Sequence, residues 1–232
     1  MSADALAAWL HTRNRTDWTH AAGTAPTPAP VAPLTDGLTA WCAQGQRRLD
    51  PDRGHRLLAA LARSRRDASR RLPLTCTLLT GWQQLLLGLP AVRFRQGDAF
   101  AKWGRERYAL TPHTRRDFDR CLRESTDPHL PLASRAARAY LDVAFFHPFP
   151  DGNARLALLT LAYVLDLEGV RLDQAGPLQT TRYADDSAGA ADLAALVLVL
   201  IRSTHQRAQA TRPPHPATAA PLPRPRTNPP EN

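Results

Sequence analysis

Two apolar helical runs separated by a short polar loop most constrain how this chain can fold. Residues 135–146 (RAARAYLDVAFF) and 156–167 (LALLTLAYVLDL) carry apolar side chains at helical spacing. Between them, residues 147–155 (HPFPDGNAR) contain two prolines, which cannot donate the backbone hydrogen bonds of a continuous helix. The pattern therefore predicts two helices joined by a tight loop that leads directly into the N-terminus of the second.

The residue types in this loop indicate a site for phosphate transfer. His147 has an ordinary pKa of about 6.5, so much of it is neutral at physiological pH and can accept a proton. Asp151 offers carboxylate oxygens, which Mg²⁺ prefers as ligands. The unpaired N–H groups and the dipole at a helix N-terminus favour an anion, and the planar guanidinium of Arg155 suits phosphate.

Each of these residues also has a plain structural interpretation. His147 could cap the end of the first helix, and Asp151 could cap the start of the second. Residues 151–153 could simply form a turn between helices, although such a turn would need neither the histidine nor the arginine. A cation is mildly unfavourable at the positive end of a helix dipole, which favours an external anion as the reason for Arg155. Phe149 is expected in the core.

The loop resembles the signature of the Fic/Doc (Fido) family, His-x-Phe-x-[Asp/Glu]-Gly-Asn-Gly-Arg-x-x-Arg. The matching residues are His147, Phe149, Asp151, Gly152, Asn153 and Arg155. Ala154 stands where the signature has its second glycine, and Leu158 stands where it has its final arginine. The resemblance covers much of residues 50–205 and includes the upstream segment 94–108. It implies an all-α, Fido-type helical bundle with a small β-hairpin flap.

This resemblance also implies an activity, namely transfer of AMP or another nucleotide-phosphate moiety from ATP to a Ser, Thr or Tyr hydroxyl of a target protein. His147 would be the catalytic base and Asp151 the ligand of Mg²⁺. The residues expected to bind the nucleotide phosphates are Gly152, Asn153, Ala154 and Arg155. The residues expected to position the target, through strand addition at the flap, are Arg93, Phe94, Arg95 and Gly97.

The two departures from the signature leave alternatives open. If Ala154 requires a positive φ, its Cβ costs about 1 kcal/mol or more, whereas with a negative φ the change is nearly silent. Leu158 removes an arginine that in the family contacts the outer phosphate, so nucleotide binding could be weaker or the transferred group different. The alternatives are a Doc-like protein phosphotransferase, and a catalytically weak Fido scaffold in a toxin–antitoxin or partner-binding role.

Composition restricts the class of protein and its partners. The 232 residues suit one domain with a real core plus appendages. We expect no signal peptide and no membrane span, because Arg or Asp interrupts each apolar run. Three isolated cysteines without metal-binding spacing favour reduced thiols and a cytoplasmic protein. The net charge is +9, with a dense arginine stretch at 47–71, but no nucleic-acid motif accompanies it. We expect no nucleic-acid partner, whereas an antitoxin or regulatory protein remains a candidate.

The chain is expected to divide into four parts. These are an N-terminal helical segment at 1–23, a Pro-rich linker at 24–33, the Fido domain at 34–210 and a disordered Pro-rich tail at 211–232. Apart from the two helices beside the motif, the helices are expected near 34–45, 51–71, 74–88, 111–122 and 188–205. The hairpin is expected within 92–108, where alternating apolar residues and two glycines interrupt the helical pattern.

Overall fold

The structure is a computed structural model that describes residues 3–23, 27–28, 33–45 and 50–211. The linker predicted at 24–33 and the tail predicted at 211–232 lie almost wholly outside these residues. The described part contains eight α-helices and one two-stranded antiparallel sheet, so the prediction of an all-α fold with a small hairpin is confirmed. The elements are α1 (Ala5–Arg15), α2 (Gly37–Gly45), α3 (Pro51–Ser69), α4 (Cys76–Leu87), β1 (Ala99–Ala101), β2 (Glu106–Tyr108), α5 (Thr114–Glu124), α6 (Leu132–Phe146), α7 (Asn153–Asp166) and α8 (Ser187–Ala210).

Helices α6 and α7, the two runs on either side of the motif, form the centre of the bundle. Every residue of α6 except Ala144 is buried, as expected for a helix that is apolar on most of its circumference. Helix α6 packs against α7, α8, α5 and α1, while α7 also packs against α3 and α4. The loop that joins α6 to α7 therefore lies at one end of a closely packed pair of helices.

Local sequence signals set several of the helix boundaries. Asp50 caps α3 by accepting hydrogen bonds from the backbone N–H groups of Asp52 and Arg53, and Pro51 occupies the first helical position. Gly88 ends α4 in the left-handed conformation, with φ of 66°. Helix α6 begins at Leu132, three residues earlier than the apolar run alone predicts.

Helix α1 docks on the core through a buried carboxylate. Asp142 of α6 is fully buried and accepts hydrogen bonds from Trp9 Nε1 at 3.0 Å and from Arg13 Nε at 2.8 Å. Ser125 Oγ donates to the same carboxylate at 2.8 Å. At its other end, α1 is preceded by Asp4, which pairs with β2 and accepts a hydrogen bond from Ala109 N at 3.0 Å. Helix α1 thereby connects the hairpin to the core.

Helix α8 is long and apolar enough to cross a membrane by length and composition, with a mean hydropathy of 1.5 over 18 residues. Asp192 and Arg202 lie within this helix, and the nine residues between them, 193–201, carry no charge. In the structure α8 packs against α6, with Leu193, Val197 and Ile201 buried. A core helix of a globular domain meets the same criterion of length and composition.

Candidate active site

His147 ends helix α6 in an unusual backbone conformation. Its φ of 46° and ψ of 56° lie in the left-handed region, which few residues other than glycine adopt. Its backbone N–H donates to the carbonyl of Val143 at 3.3 Å, as in a left-handed helix cap. The capping interpretation of His147 is therefore correct for its backbone, and it leaves the imidazole free for another role.

The imidazole of His147 is oriented by two contacts. Nδ1 lies 2.7 Å from the carbonyl oxygen of Ala144, and because that oxygen can only accept, Nδ1 carries the proton and Nε2 keeps its lone pair. The ring stacks on Tyr108, with centroids 4.6 Å apart. Burial lowers the pKa of His147, which the bond to Ala144 opposes and the charges of Arg95 and Lys102 reinforce. The neutral form, which can accept a proton, therefore persists below the ordinary pKa.

The hairpin fixes the aromatic surface on which His147 stacks. The hydroxyl of Tyr108 donates to Glu106, which also pairs with Lys102 at 2.6 Å. Lys102 is the only lysine of the chain. It donates to the carbonyl of Arg182, and its ammonium lies 4.1 Å from the ring centroid of Tyr183. Sequence reasoning missed these hairpin residues, since nothing in their spacing connects them with His147.

The motif loop is held together by its own side chains. Asn153 Oδ1 accepts from the backbone N–H of Phe149 at 3.0 Å, and Asn153 Nδ2 donates to the carbonyl of Phe149 at 2.6 Å. Phe149 is fully buried, as predicted. Gln83 of α4 donates to the carbonyl of Asp151. The amide of Asn153 therefore positions the loop, and its contact with phosphate stays a prediction.

Gly152 and Ala154 have different backbone requirements. Gly152 has a φ of 79°, and a Cβ on it would lie 2.8 Å from Gln83 Nε2, so glycine is needed here. Ala154 lies inside α7 and is absent from the non-glycine residues with positive φ. The replacement of the signature's second glycine by Ala154 is therefore conformationally silent. Because Gly152 has no side chain to cap α7, the first-turn N–H groups remain available to an anion.

Asp151 and Arg155 lie next to each other at this helix terminus. The side chain of Arg155 is 10% exposed, and its Nη2 lies 3.7 Å from Asp151 Oδ2. Burial lowers the pKa of Arg155, and the positive charge of Arg53 lowers it further. Asp151 is 71% exposed and its Oδ1 accepts only from Gly152 N, at 2.6 Å. Its carboxylate therefore does not cap the first turn of α7, and Asp151 lines the cavity described below.

The carboxylate of Asp151 fits a magnesium ion only in company with a substrate. Within the described ranges, no group of three or more His, Cys, Asp or Glu side chains could hold a metal. Mg²⁺ is commonly held by one or two carboxylates together with substrate phosphates and water. Asp151 satisfies that requirement, since its Oδ2 accepts no hydrogen bond from a described residue.

These groups surround one cavity of about 1020 Å³. His147 and the residues 149–155 form one side of it, and residues 96–102 of the hairpin region form another. Other lining residues include Trp41 of α2, Arg53 of α3 and the segment 179–182. The volume is at the upper end of the usual range for small-molecule sites, roughly 300–1000 Å³. Sequence reasoning did not identify Trp41, Arg53 or 179–182 as part of this site.

The four residues expected to position a target lie ahead of the hairpin strands. The side chain of Arg95 is buried and donates to the carbonyls of Phe146 and Ala109. The backbone N–H of Arg95 donates to the carbonyl of Pro148 at 2.9 Å. Phe94 packs against Phe118. The side chains of Arg95 and Phe94 therefore brace the motif loop and the core, and the addition of a target strand along residues 93–97 stays a prediction. Arg93 and Gly97 are exposed, and their role stays a prediction.

Leu158 lies one turn beyond Arg155 and is only 1% exposed. It belongs to the apolar core that also contains Leu156, Leu159 and Leu161. At this position α7 supplies packing rather than a second cation.

A sequence model of the Fic/DOC family matches residues 74–165, which run from the start of α4 to the end of α7. The resemblance predicted from the motif loop is therefore confirmed over residues 74–165. A comparison with curated protein sequences finds no match.

Solved structures similar to this chain include two Fic proteins. A crystal structure of IbpAFic2 covalently tethered to Cdc42 matches with a TM-score of 0.51 and 11% identity, over 86% of this chain and 70% of that chain. Fic-1 (aa134–508) from C. elegans matches with a TM-score of 0.45 and 18% identity, over 74% of this chain. This chain spans 56% of that Fic-1 chain. At 11% identity, the similarity to IbpAFic2 concerns the fold alone.

Proposed function

We propose that this chain transfers AMP, or another nucleotide-phosphate moiety, from ATP to a hydroxyl of a target protein. The observation that carries the proposal is the position of His147, whose Nε2 lone pair is free and whose loop leads directly into the start of α7, where no side chain caps the first-turn N–H groups. A proton acceptor and a phosphate site on one short loop hold the two reacting groups together. Phosphoryl-group transfer depends mainly on such positioning and on neutralisation of charge.

The transfer step follows from this arrangement. The oxygen of a target Ser, Thr or Tyr attacks the α-phosphorus, the bond from that phosphorus to the bridging oxygen breaks, and pyrophosphate leaves with the bonding electrons. The hydroxyl proton moves to His147 Nε2. Arg155 and the first-turn N–H groups of α7 stabilise the phosphate charge. Asp151 would hold Mg²⁺, which when bound neutralises further negative charge on the phosphates.

A protein target fits the surface beside the cavity. Phe100 and Trp103 of the hairpin are exposed large apolar side chains, and Phe100 also lines the cavity. Strand β2 pairs with β1 and with Asp4, so β1 retains an edge that lacks a strand partner within the described residues. An extended segment of a target could add to this edge. The tethering of IbpAFic2 to Cdc42 shows that a related fold engages a protein.

The identity of the transferred group can be tested with labelled ATP. Purified protein is incubated with a cell lysate, Mg²⁺ and ATP labelled at either the α- or the γ-phosphate. Label from the α-position alone supports AMP transfer. Label from the γ-position instead would support the Doc-like phosphotransferase, in which the γ-phosphorus is attacked and ADP leaves.

The second candidate function is a catalytically weak scaffold in a toxin–antitoxin or partner-binding role. The burial of Leu158 favours it, because α7 then presents Arg155 as its single cation on the cavity. Absence of label from both positions, with an intact fold, would support the scaffold.

Asp151→Ala is expected to weaken Mg²⁺-dependent nucleotide binding by at least about tenfold, since metal sites lose that much even when an outer-shell group is removed. The melting temperature should stay unchanged, because the carboxylate caps no first-turn N–H group of α7. Calorimetry with a non-hydrolysable ATP analogue, with Mg²⁺ and with a chelator, measures the effect. Asp192→Ala removes the same charge from an exposed position of α8 and serves as the control. A lower melting temperature with unaltered Mg²⁺ dependence would assign Asp151 a structural role.

The rate of transfer is expected to fall on acidification with a midpoint below the ordinary His value of about 6.5. Burial lowers the pKa of His147, so the imidazole stays neutral and able to accept a proton until the pH drops below that value. A pH profile of initial labelling rates measures the midpoint, and nucleotide affinity measured over the same pH range separates binding from proton transfer. A midpoint at or above the ordinary value would contradict the assignment of His147 as the base.

A further inference from the structure

Arg53 lies in the first turn of α3 and lines the same cavity as the motif loop. Its backbone N–H is bound by the Asp50 cap at 3.1 Å, which fixes where the side chain leaves the helix. The side chain is half-buried. Helix α3 lies outside residues 74–165, the part of the chain that the family model matches.

The guanidinium of Arg53 lacks an acidic partner among the described residues, unlike three other arginines of α3. Arg56, Arg63 and Arg65 pair with Asp50, Asp67 and Asp36, respectively. No carboxylate of residues 3–23, 27–28, 33–45 or 50–211 lies within 4.0 Å of the Arg53 guanidinium. An arginine in the first turn of a helix also meets the positive end of the dipole, so an external anion would stabilise it there.

Arg155, which lines the same cavity, has only one distant acidic partner in the described part of the chain. It is nine-tenths buried, its contact with Asp151 is 3.7 Å long, and its guanidinium makes no hydrogen bond with any described residue. Burial is the main cause that lowers the pKa of Arg155, and the positive charge of Arg53 is the next. The two cations are therefore close enough to repel each other. One turn further on, Leu158 is buried, and α7 contributes no second cation.

We propose that Arg53 and Arg155 together bind a polyphosphate, with Arg155 at the phosphate next to α7 and Arg53 at an outer phosphate. The ligand class is then a nucleoside diphosphate or triphosphate rather than a monophosphate. The two guanidinium groups repel each other when the cavity is empty of anions, and a chain of phosphates between them removes that repulsion. The naming of a nucleotide as ligand rests on the proposed function, whereas the pairing of the two arginines does not.

Calorimetry on the full chain tests this pairing with three probes, namely inorganic tripolyphosphate, a non-hydrolysable ATP analogue and AMP. Arg53→Ala is expected to weaken tripolyphosphate and the ATP analogue by about ten- to a hundredfold, the effect of one charge-assisted hydrogen bond. AMP affinity should stay unchanged. Arg66→Ala removes the same charge from an exposed site on the same helix and should leave all three affinities unchanged. Arg155→Ala should weaken all three probes.

Equal tripolyphosphate affinity for Arg53→Ala and the parent would overturn the proposal, as would an equal loss of AMP and of the ATP analogue. A parent protein that binds no polyphosphate would overturn it too. The melting temperature of Arg53→Ala should equal or exceed that of the parent, because an unpaired cation has been removed, and Arg53→Gln keeps most of the side chain if the alanine variant is unstable. Arg53-dependent polyphosphate binding without any labelled target would support this inference and contradict the transfer activity.

Discussion

His147→Ala is expected to reduce target labelling by about 10²- to 10⁴-fold, the usual contribution of general acid–base catalysis. The substitution removes the lone pair at Nε2 and leaves no other imidazole on the cavity within the described residues. The phosphate site at the start of α7 does not include the ring, so nucleotide affinity should change little. Initial rates of labelling and calorimetry on the same preparations measure the two quantities.

Two companion variants separate chemistry from structure at this position. His147→Asn removes the base but retains a residue type that tolerates the left-handed backbone observed here, so it should fold as the parent does and be as inactive as the alanine variant. His113→Ala removes an exposed histidine that makes no side-chain cap on α5, and it should keep full activity. Labelling by His147→Asn at the rate of the parent would exclude His147 from the mechanism.

Leu158→Arg is expected to unfold much of the protein rather than to restore a phosphate contact. The leucine is 1% exposed, so a guanidinium there would be buried without a partner, at a cost of several kcal/mol. The longer side chain adds about 1–3 kcal/mol of overpacking. Together these terms approach the total stability of a typical domain, about 5–15 kcal/mol. Urea and thermal unfolding should show a large loss of stability.

The matched control is Leu158→Met, which conserves volume and polarity and should cost less than about 1.5 kcal/mol. An arginine at position 158 could in principle approach the ligand of Arg155, because the two positions lie on the same side of α7. If Leu158→Arg kept the parent melting temperature and tightened the ATP analogue, the helix would rotate or open enough to bring the new side chain to the cavity. The proposed role of Arg53 would then be unnecessary.

Local sequence signals were sufficient for the architecture. The run of apolar residues on each side of 147–155, the prolines within it and the Asp50-Pro51 start predicted helices that the structure contains. The hairpin lies within the predicted range 92–108. These features depend on residues close together in the chain, where periodicity, proline and capping act directly.

The site was only partly accessible to sequence reasoning. The motif identified His147 and Arg155, but Tyr108 and Arg53 reach the same cavity from distant helices and strands, and no spacing rule connects them. The conformation of Ala154 could not be read from residue type, since alanine occurs at both signs of φ with very different cost. For Arg95, which was predicted to belong to a target-positioning flap, no sequence signal indicated that three backbone carbonyls, those of Phe146, Gly97 and Ala109, accept hydrogen bonds from its buried guanidinium.

The docking of α1 has a consequence for where the cooperative folding unit begins. The carboxylate of Asp142 lies within residues 74–165, yet two of its hydrogen-bond donors, Trp9 and Arg13, come from more than a hundred residues earlier. A fragment limited to residues 74–165 would expose the apolar side chains that pack against α1. It would also leave the buried Asp142 carboxylate without its hydrogen bonds from Trp9 and Arg13. Such a fragment would also lack the tether that Asp4 provides to the hairpin. The motif loop and helix α1 are therefore expected to unfold as one cooperative unit, and a change in α1 would also disturb the hairpin that lines the cavity.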